Sequence, residues 1–440
     1  MSLEQITLEP ATHASGTVHL PGSKSISNRA LLLAALTPGI TSLTGVLASD
    51  DTRVMIDALN QLGVEAIKVS ESVYQIHGGT PFNHAHADLF LGNAGTAFRS
   101  LTAALAFLGG DYTLSGIPRM HERPIGDLVE ALQGAGARID YLETSGYPPL
   151  KIGQPTIDLS QPIRVKGSVS SQFLTALLMA APIAVAQTQT ELVIEVEGTL
   201  ISQPYIAITL DMMEKFGVLV RHDEHWQRFV IQSDAQYVSP GEFHVEGDAS
   251  SASYFLALGT IAGGPIDIQG VGALSVQGDV QFAKVMEYMG AQVTYLANSM
   301  EVTGVNVAQG QRLKAFDLDF NLIPDAAMTA AALAVYADGP CTLRNIASWR
   351  VKETDRIDAM QNELRQVGAE VESGPDWITI YPIPEGGWRS ARIETYDDHR
   401  MAMCLSLMRF GGMSQTILDP NCVSKTFPEY FSIFEQLIKG

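Results

Sequence analysis

The sequence predicts an α/β protein of two similar domains, each holding three copies of one repeated unit, and three observations carry this. At 440 residues, 46% of them hydrophobic and 17% charged, the chain is globular in composition and too long for a single core. Six alanine-rich apolar runs, each behind a short polar entry, recur roughly every 70 to 80 residues, which is a long-period internal repeat. Strand-like segments such as YTLSGI, LVIEVEG, PIDIQGV and CTLRNI follow the runs after a Gly or Pro break, so strands alternate with helices.

The six entries lie at Ser27 and Asn28, Thr96, Ser170 and Ser171, Ser250 and Ser251, Asp325, and Asp397 and Asp398. The runs behind them read RALLLAAL, AFRSLTAALAFL, QFLTALLMAAPIA, ASYFLALGTIA, AAMTAAALAVYA and RMAMCLSLM. None has a continuous polar face, so all are expected to be central, buried helices. A second, amphipathic helix follows in most copies: DTRVMIDALNQLGVEA, RPIGDLVEALQGAGARI, PYIAITLDMMEKFGVLV, DVQFAKVMEYMGAQV and ETDRIDAMQNELRQVGAEV. Each ends near a glycine suited to a C-cap.

Three units per half place a break near Ser239-Pro240-Gly241 and a crossover near Pro21-Gly22. One domain is then expected over residues 22–240, and the other over 1–21 with 241–440. If the buried helices of each half pack together, their N-termini converge and concentrate unpaired N–H groups on one face. Such a face can bind an anion.

A formal charge of -20 and a pI near 4.8 repel phosphate backbones at long range, so neither nucleic acid nor an anionic membrane is an expected partner. Anionic ligands have to be captured locally. Cys341, Cys404 and Cys422 lack the close paired spacing of metal or redox motifs, which fits a reducing cytoplasm. The start MSLEQITLEP has neither a basic region nor an apolar core of signal-peptide length, so a cytoplasmic protein is expected. The longest apolar stretch, Phe173 to Ala186, is broken by Thr175 and Pro182 and reads as a buried helix, since a span needs about 18 apolar residues.

Cationic and hydroxylic residues at the helix entries are the candidates for chemistry. LPGSKSISNRALLLAAL sets Lys24, Ser25 and Arg29 near one helix start, where Ser25 and Ser27 could equally be N-caps. LGNAGTAFRS offers Asn93, Gly95 and Thr96, the glycine permitting close approach of a ligand to the backbone. SVSSQF offers Ser170, Ser171 and Gln172 for phosphate oxygens, or simply a serine cap. Asp325 in IPDAAM is either an N-cap or a poised base. In SWRVKETDR, Lys352 and Arg356 stand at i, i+4 spacing and would share a face of a helix; charge runs of this kind are usually solvated surface. His399 and Arg400 abut a buried run, and Lys425 follows the strand-like TILDP. No metal site is signalled, and no cofactor is expected.

Taken in order, LPGSKSISNRALLLAAL, LGNAGTAFR, RMHERPIG, GSVSSQFLTALLMAAP, EGDASSAS, IPDAAM, RVKETDR and DHRMAM resemble the motifs of the 5-enolpyruvylshikimate-3-phosphate synthase family. The resemblance runs from about residue 6 to residue 430. It implies the enolpyruvyl transferase fold: two similar domains of three βαβαββ-type units around buried parallel helices, with the active-site cleft between the domains, which close on substrate. It implies transfer of the enolpyruvyl group of phosphoenolpyruvate to the 5-hydroxyl of shikimate-3-phosphate, with release of phosphate. It also implies a monomer, and glyphosate as an inhibitor competing with phosphoenolpyruvate.

By motif match, the resemblance assigns shikimate-3-phosphate to Lys24, Ser25, Arg29, Ser170, Ser171, Gln172, Ser202, Tyr205, Asp325, Ser348 and Lys352. Phosphoenolpyruvate falls to Lys24, Gly95, Arg123, Gln172, Arg356, Arg400 and Lys425. Asp325 is the candidate to accept the hydroxyl proton, and Lys24 or Glu353 to protonate the methylene carbon. Two departures stand out. Ser100 replaces the family's usual proline, implying reduced sensitivity to glyphosate, and Ser348 replaces asparagine, which puts its own place in the site in doubt.

Three other readings compete with this resemblance. A related transferase acting on a UDP-amino sugar carries a reactive cysteine in its first domain, whereas no cysteine here precedes Cys341. An RNA-end-processing relative would need a basic surface. An inactive binder of anionic metabolites would be expected to lack one of Lys24, Asp325 and Glu353, and all three are present.

Overall fold

The computed structural model describes residues 4–439. The chain divides into two compact units, Gly22–Val245 and Met1–Pro21 with Glu246–Gly440. Among the described residues each unit holds three sheets.

In the Gly22–Val245 unit the sheets share one pattern. Strand orders are Glu242–His244, Gly39–Thr44, Val73–Gly78, Glu65–Ser70; then His86–Phe90, Asp111–Ser115, Leu150–Ile152, Ile139–Tyr141; then Ile163–Lys166, Leu192–Glu197, Arg228–Ile231, Val220–His222. In each, the first pair is parallel and the other two pairs are antiparallel.

The other unit repeats this pattern in Asp317–Asp319, Cys341–Arg344, Ile378–Ile380, Val371–Ser373. It does so again in His13–His19, Gly263–Gln269, Ser299–Thr303, Gln292–Tyr295, with Ile438–Lys439 added beside the first strand. The last sheet keeps the parallel pair Ala391–Ile393 and Gln415–Leu418, and Gln5–Leu8 lies antiparallel beside it.

The α-helices in chain order are α1 (Lys24–Leu36), α2 (Asp50–Gln61), α3 (Gly95–Leu108), α4 (Gly126–Gly134), α5 (Ser171–Thr188), α6 (Gln203–Lys215), α7 (Ala249–Ile261), α8 (Phe282–Met289), α9 (Ala327–Leu333), α10 (Arg356–Gln366), α11 (His399–Leu405) and α12 (Tyr430–Leu437). The six apolar runs form α1, α3, α5, α7, α9 and α11. In one unit α3 packs against both α1 and α5; in the other α9 packs against both α7 and α11.

Burial explains the composition. Every residue from Ile26 to Leu36 and every residue of α7 is buried, and each fully buried Leu contributes about 1.5–3 kcal/mol. The alanines let neighbouring helices approach closely, so enlarging Ala34 or Ala35 would cost about 1–3 kcal/mol in strain. A Cβ on Gly78 would fall 2.0 Å from the Ala34 carbonyl oxygen, so the strand can meet the end of α1 only with glycine there. Long and apolar enough to cross a membrane, α5 is nevertheless buried from Phe173 to Val185.

The amphipathic helices bury one face: Met55, Ala58 and Leu59 on α2, and Phe282, Ala283, Met286 and Met289 on α8. The repeat reading gave no partner to the sixth run, yet α12 buries Tyr430, Phe434 and Leu437 at i, i+4, i+7.

Three local expectations need correction. The N-cap of α1 is Ser23, not Ser25 or Ser27; the Ser27 hydroxyl instead accepts from the Leu47 N–H at 3.0 Å. Asp325 does not cap α9, whose cap position is Ala326. Lys352 and Arg356 do not share a helix, because Lys352 ends the 3-10 turn Ala347–Val351 while Arg356 opens α10. A carboxylate joins them instead.

Candidate active site

In the Gly22–Val245 unit, side chains at the helix entries are tied to one another. Asn28 of α1 donates to the Thr96 hydroxyl of α3 at 2.7 Å. Arg29, 5% exposed, donates from Nε to Thr209 Oγ1 at 2.9 Å, from NH1 to the Ser25 carbonyl at 2.9 Å, and from NH2 to the Tyr205 carbonyl at 3.3 Å and Thr175 at 3.4 Å. Its partners named here are all uncharged oxygens. Burial pushes its proton affinity down to about 10, because a desolvated cation without a counter-charge is disfavoured.

Lys24, the first residue of α1, lies 3.5 Å from Asp51 Oδ2 on α2. Arg123, buried, donates to the Asn93 backbone carbonyl at 3.0 Å and to Asn93 Oδ1 at 2.9 Å. Gly95, the first residue of α3, leaves room for that guanidinium: a Cβ there would stand 2.8 Å from Arg123 NH2 and 2.9 Å from Arg99 NH1.

Ser170 caps α5 by accepting from the Gln172 N–H at 3.2 Å, and Ser171 behind it is buried. Ser202, at the N-cap of α6, adopts the left-handed region at φ 54° and ψ 42°. A non-glycine residue held there costs about 1 kcal/mol or more, and such strain clusters at functional sites. Tyr205 is half-buried one turn on.

In the other unit the cations meet carboxylates. Arg356, 1% exposed, donates from Nε to Asp398 at 2.8 Å, from NH1 to Asp325 at 2.9 Å and from NH2 to Glu353 at 3.0 Å. Arg400 donates from NH2 to Asp325 Oδ2 at 3.1 Å and from NH1 to the Tyr254 hydroxyl at 3.3 Å. Lys352 stands 3.3 Å from Asp325 Oδ1, and Lys425 stands 3.8 Å from Glu353 Oε1. The Trp349 indole N–H donates to the Pro324 carbonyl at 2.7 Å, which pins the 3-10 turn beside Asp325.

Burial alone would raise the Asp325 carboxyl, but Arg400, Lys352 and Arg356 outweigh it and hold the group well below the usual carboxylate range. Asp279, wholly buried and hydrogen-bonded by Ser250, goes the other way. Desolvation first, then the charge of Asp325, push it up to about 6.

The structure thus gathers Asp325, Lys352, Glu353, Arg356, Arg400 and Lys425 into one connected ion network. Ser348 sits half-buried in the same 3-10 turn as Trp349. Sequence reasoning singled out Asn93 but missed the other partners: Asp51, Thr175, Thr209, Tyr254 and Asp279. Asp398 it noted only as part of a polar entry, whereas the carboxylate caps α11 through the Arg400 N–H at 2.9 Å while gripping Arg356. His399, 1% exposed, lies 3.6 Å from Asp398. Among the described residues no group of three or more His, Cys, Asp and Glu side chains is placed to hold a metal ion.

The family model for EPSP synthase (3-phosphoshikimate 1-carboxyvinyltransferase) matches residues 8–434, a span that includes both residue sets. The chain belongs to the EPSP synthase family. It is 62% identical over 435 residues to a 3-phosphoshikimate 1-carboxyvinyltransferase of Bordetella petrii, covering 99% of this chain and 97% of that one. A relative of the same name from Bordetella avium is 58% identical, with full coverage of both chains at 100%. The solved EPSP synthase of Acinetobacter baumannii superposes with a TM-score of 0.78 at 23% identity, covering 99% of this chain and 98% of the other. An enolpyruvyl transferase from Streptomyces tendae gives 0.74 at 15% identity, over 98% and 97% of the two chains. The last two show the fold, that of the enolpyruvyl transferases.

The cysteines bear on the related UDP-amino-sugar transferase. All three are free and buried. Burial pushes the thiol of Cys341 up to about 11 and that of Cys422 up to about 12, so neither is a ready thiolate near neutral pH.

Proposed function

We propose that both residue sets contribute to binding each of the two substrates of one reaction. The chain is a transferase of the shikimate pathway of aromatic amino acid biosynthesis: it moves the enolpyruvyl group of phosphoenolpyruvate to the 5-hydroxyl of shikimate-3-phosphate and releases phosphate. The observation that most supports the assignment is the convergence of Arg356, Arg400 and Lys352 on the single carboxylate of Asp325. Two substrates that each carry a phosphate and a carboxylate need several fixed cations, and arginine forks match such groups bidentately.

In this reading Lys24, Ser25, Arg29, Gln172, Tyr205, Asp325 and Lys352 hold shikimate-3-phosphate, with Ser170, Ser171 and Ser202 on its phosphate. Ser348 has the weakest claim, since it is shorter than the asparagine it replaces. Phosphoenolpyruvate falls to Lys24, Gly95, Arg123, Gln172, Arg356, Arg400 and Lys425. Arg29 supports the first group because its buried charge lacks a carboxylate among the partners given above.

The chemistry is an addition followed by an elimination. Asp325 takes the proton of the 5-hydroxyl as its oxygen bonds to C2 of phosphoenolpyruvate, and the π electrons pass to C3, which takes a proton from Lys24 or Glu353. The tetrahedral intermediate then loses a proton from C3, re-forms the double bond and expels phosphate. Fixed cations around the phosphate and carboxylate stabilise the charge that builds up.

Glyphosate competes at the phosphoenolpyruvate side with reduced affinity. Ser100 lies in α3, whose first residue is Gly95, and serine keeps a backbone N–H that the family's usual proline lacks. The enzyme works as a cytoplasmic monomer.

Phosphate release from purified protein tests the function. Release is expected only when both substrates are present, and in Asp325→Asn it should fall by about a hundredfold or more. Release from phosphoenolpyruvate alone, or none with both substrates, would contradict the reading.

A further inference from the structure

Asp325 is placed as a base and yet held as an anion. Oδ1 meets Arg356 NH1 at 2.9 Å and Lys352 Nζ at 3.3 Å, and Oδ2 meets Arg400 NH2 at 3.1 Å. The charged groups facing it are Arg356 on α10, Arg400 on α11, Lys352 and Glu353 between the 3-10 turn and α10, and Asp279 from the turn Gly278–Gln281. With three cations on one carboxylate, its proton affinity is far too low for it to draw a proton from a hydroxyl.

The three acids on Arg356 are not equivalent. Side-chain exposure is 0% for Asp398, 8% for Glu353 and 16% for Asp325. Asp398 is fixed besides by capping α11. Asp325 is therefore the partner that an incoming anion can replace, at NH1 of Arg356 and at NH2 of Arg400. Those are the groups that the reading above gives to phosphoenolpyruvate, and the inference rests on that reading.

We propose that the anionic groups of phosphoenolpyruvate displace Asp325 from Arg356 and Arg400, so that Asp325 becomes a proton acceptor only when the donor substrate is bound. After the exchange Asp325 keeps one cation, Lys352, in place of three and still faces the carboxylate of Asp279, a balance that favours taking up a proton. The 5-hydroxyl proton then passes to the Asp325 carboxylate as the oxygen bonds to C2 of the donor. The acceptor hydroxyl is not activated in an empty donor site. Linkage makes the effect reciprocal: protonating Asp325 strengthens donor binding.

The test is carboxyl 13C NMR of aspartate-labelled protein across pH, with the Asp325 signal assigned by its loss in Asp325→Asn. Three samples are compared: free protein, protein with 5-deoxyshikimate-3-phosphate, which lacks the reacting hydroxyl, and protein with that compound plus phosphoenolpyruvate. The Asp325 titration midpoint should rise by about two pH units or more when phosphoenolpyruvate is added, and little with the deoxy compound alone. Phosphorus NMR on the same samples, and on Arg400→Lys, reads donor binding. An unmoved midpoint, with binding weakened about tenfold by Arg400→Lys, overturns the exchange while leaving the donor at Arg400. Binding undiminished in Arg400→Lys, or no binding in the native chain, overturns the exchange and the donor assignment together.

Discussion

The cations of the Gly22–Val245 unit and those of the other unit solve different problems. Arg29 and Arg123 donate to hydroxyls, an amide and carbonyls, while Arg356 and Arg400 sit in a network of carboxylates. Among the described residues the partners of Arg29 and Arg123 given above are uncharged, in a chain of net charge -20, which on the proposed reading leaves them ready for an anion. The second arrangement is close to neutral, and on that reading it exchanges partners to bind one. The same residue type would then be a standing receptor in one unit and a switch in the other.

Stability should separate the two most sharply. Asp398→Ala strips a fully buried carboxylate from Arg356, which keeps Asp325 and Glu353, and should cost about 3–5 kcal/mol, the range for breaking a buried ion pair. Thr209→Val removes a neutral partner of Arg29 and should cost about 1–3 kcal/mol. Urea midpoints measure both, and equal losses would break the comparison.

A pH scan sharpens it. The Asp279 carboxyl is pushed up from 3.8 to about 6, so between those values the folded chain binds more protons than the unfolded one. Stability from this group therefore falls as pH rises from 4 to 6, by up to about 3 kcal/mol. Asp279→Asn should remove that slope while keeping a partner for Ser250. The Asp325 contribution has the opposite sign and is lost only at lower pH, as the solution falls through its depressed folded value. Denaturation midpoints at pH 4 and pH 6 distinguish the two.

Smaller effects belong to the α3 entry. Gly95→Ala should push the Arg123 guanidinium aside, raising KM for phosphoenolpyruvate by about tenfold with little change in the melting temperature. Ser100→Pro should lower the glyphosate inhibition constant by about threefold, under 1 kcal/mol, and an unchanged constant would remove Ser100 from the account.

The fold was legible in the sequence to the extent that it repeats. Six runs without a wet face had to be buried, and they form the helices around which three sheets gather in each unit. Local chemistry was read less well. Ser25 and Ser27 carry the composition of caps, yet the chain enters α1 two and four residues earlier, at Ser23. Lys352 and Arg356 looked like a helical pair, although the link between them is Asp325, 27 and 31 positions upstream in the sequence. Asp51, Thr175 and Thr209 give no sequence signal because their role depends on contacts between elements far apart in the chain. Asp398 gave a partial one, since an acid at a helix entry reads as a cap and nothing local reveals the arginine behind it.

The assignment of Arg29 to shikimate-3-phosphate and of Arg400 to phosphoenolpyruvate is tested most directly by phosphate-release kinetics of Arg29→Lys and Arg400→Lys, with each substrate varied at saturating levels of the other. The account predicts that Arg29→Lys raises KM for shikimate-3-phosphate by about tenfold or more and leaves that for phosphoenolpyruvate within about twofold, with Arg400→Lys doing the reverse. Equal changes in both constants in either variant, or the opposite pairing, would contradict it.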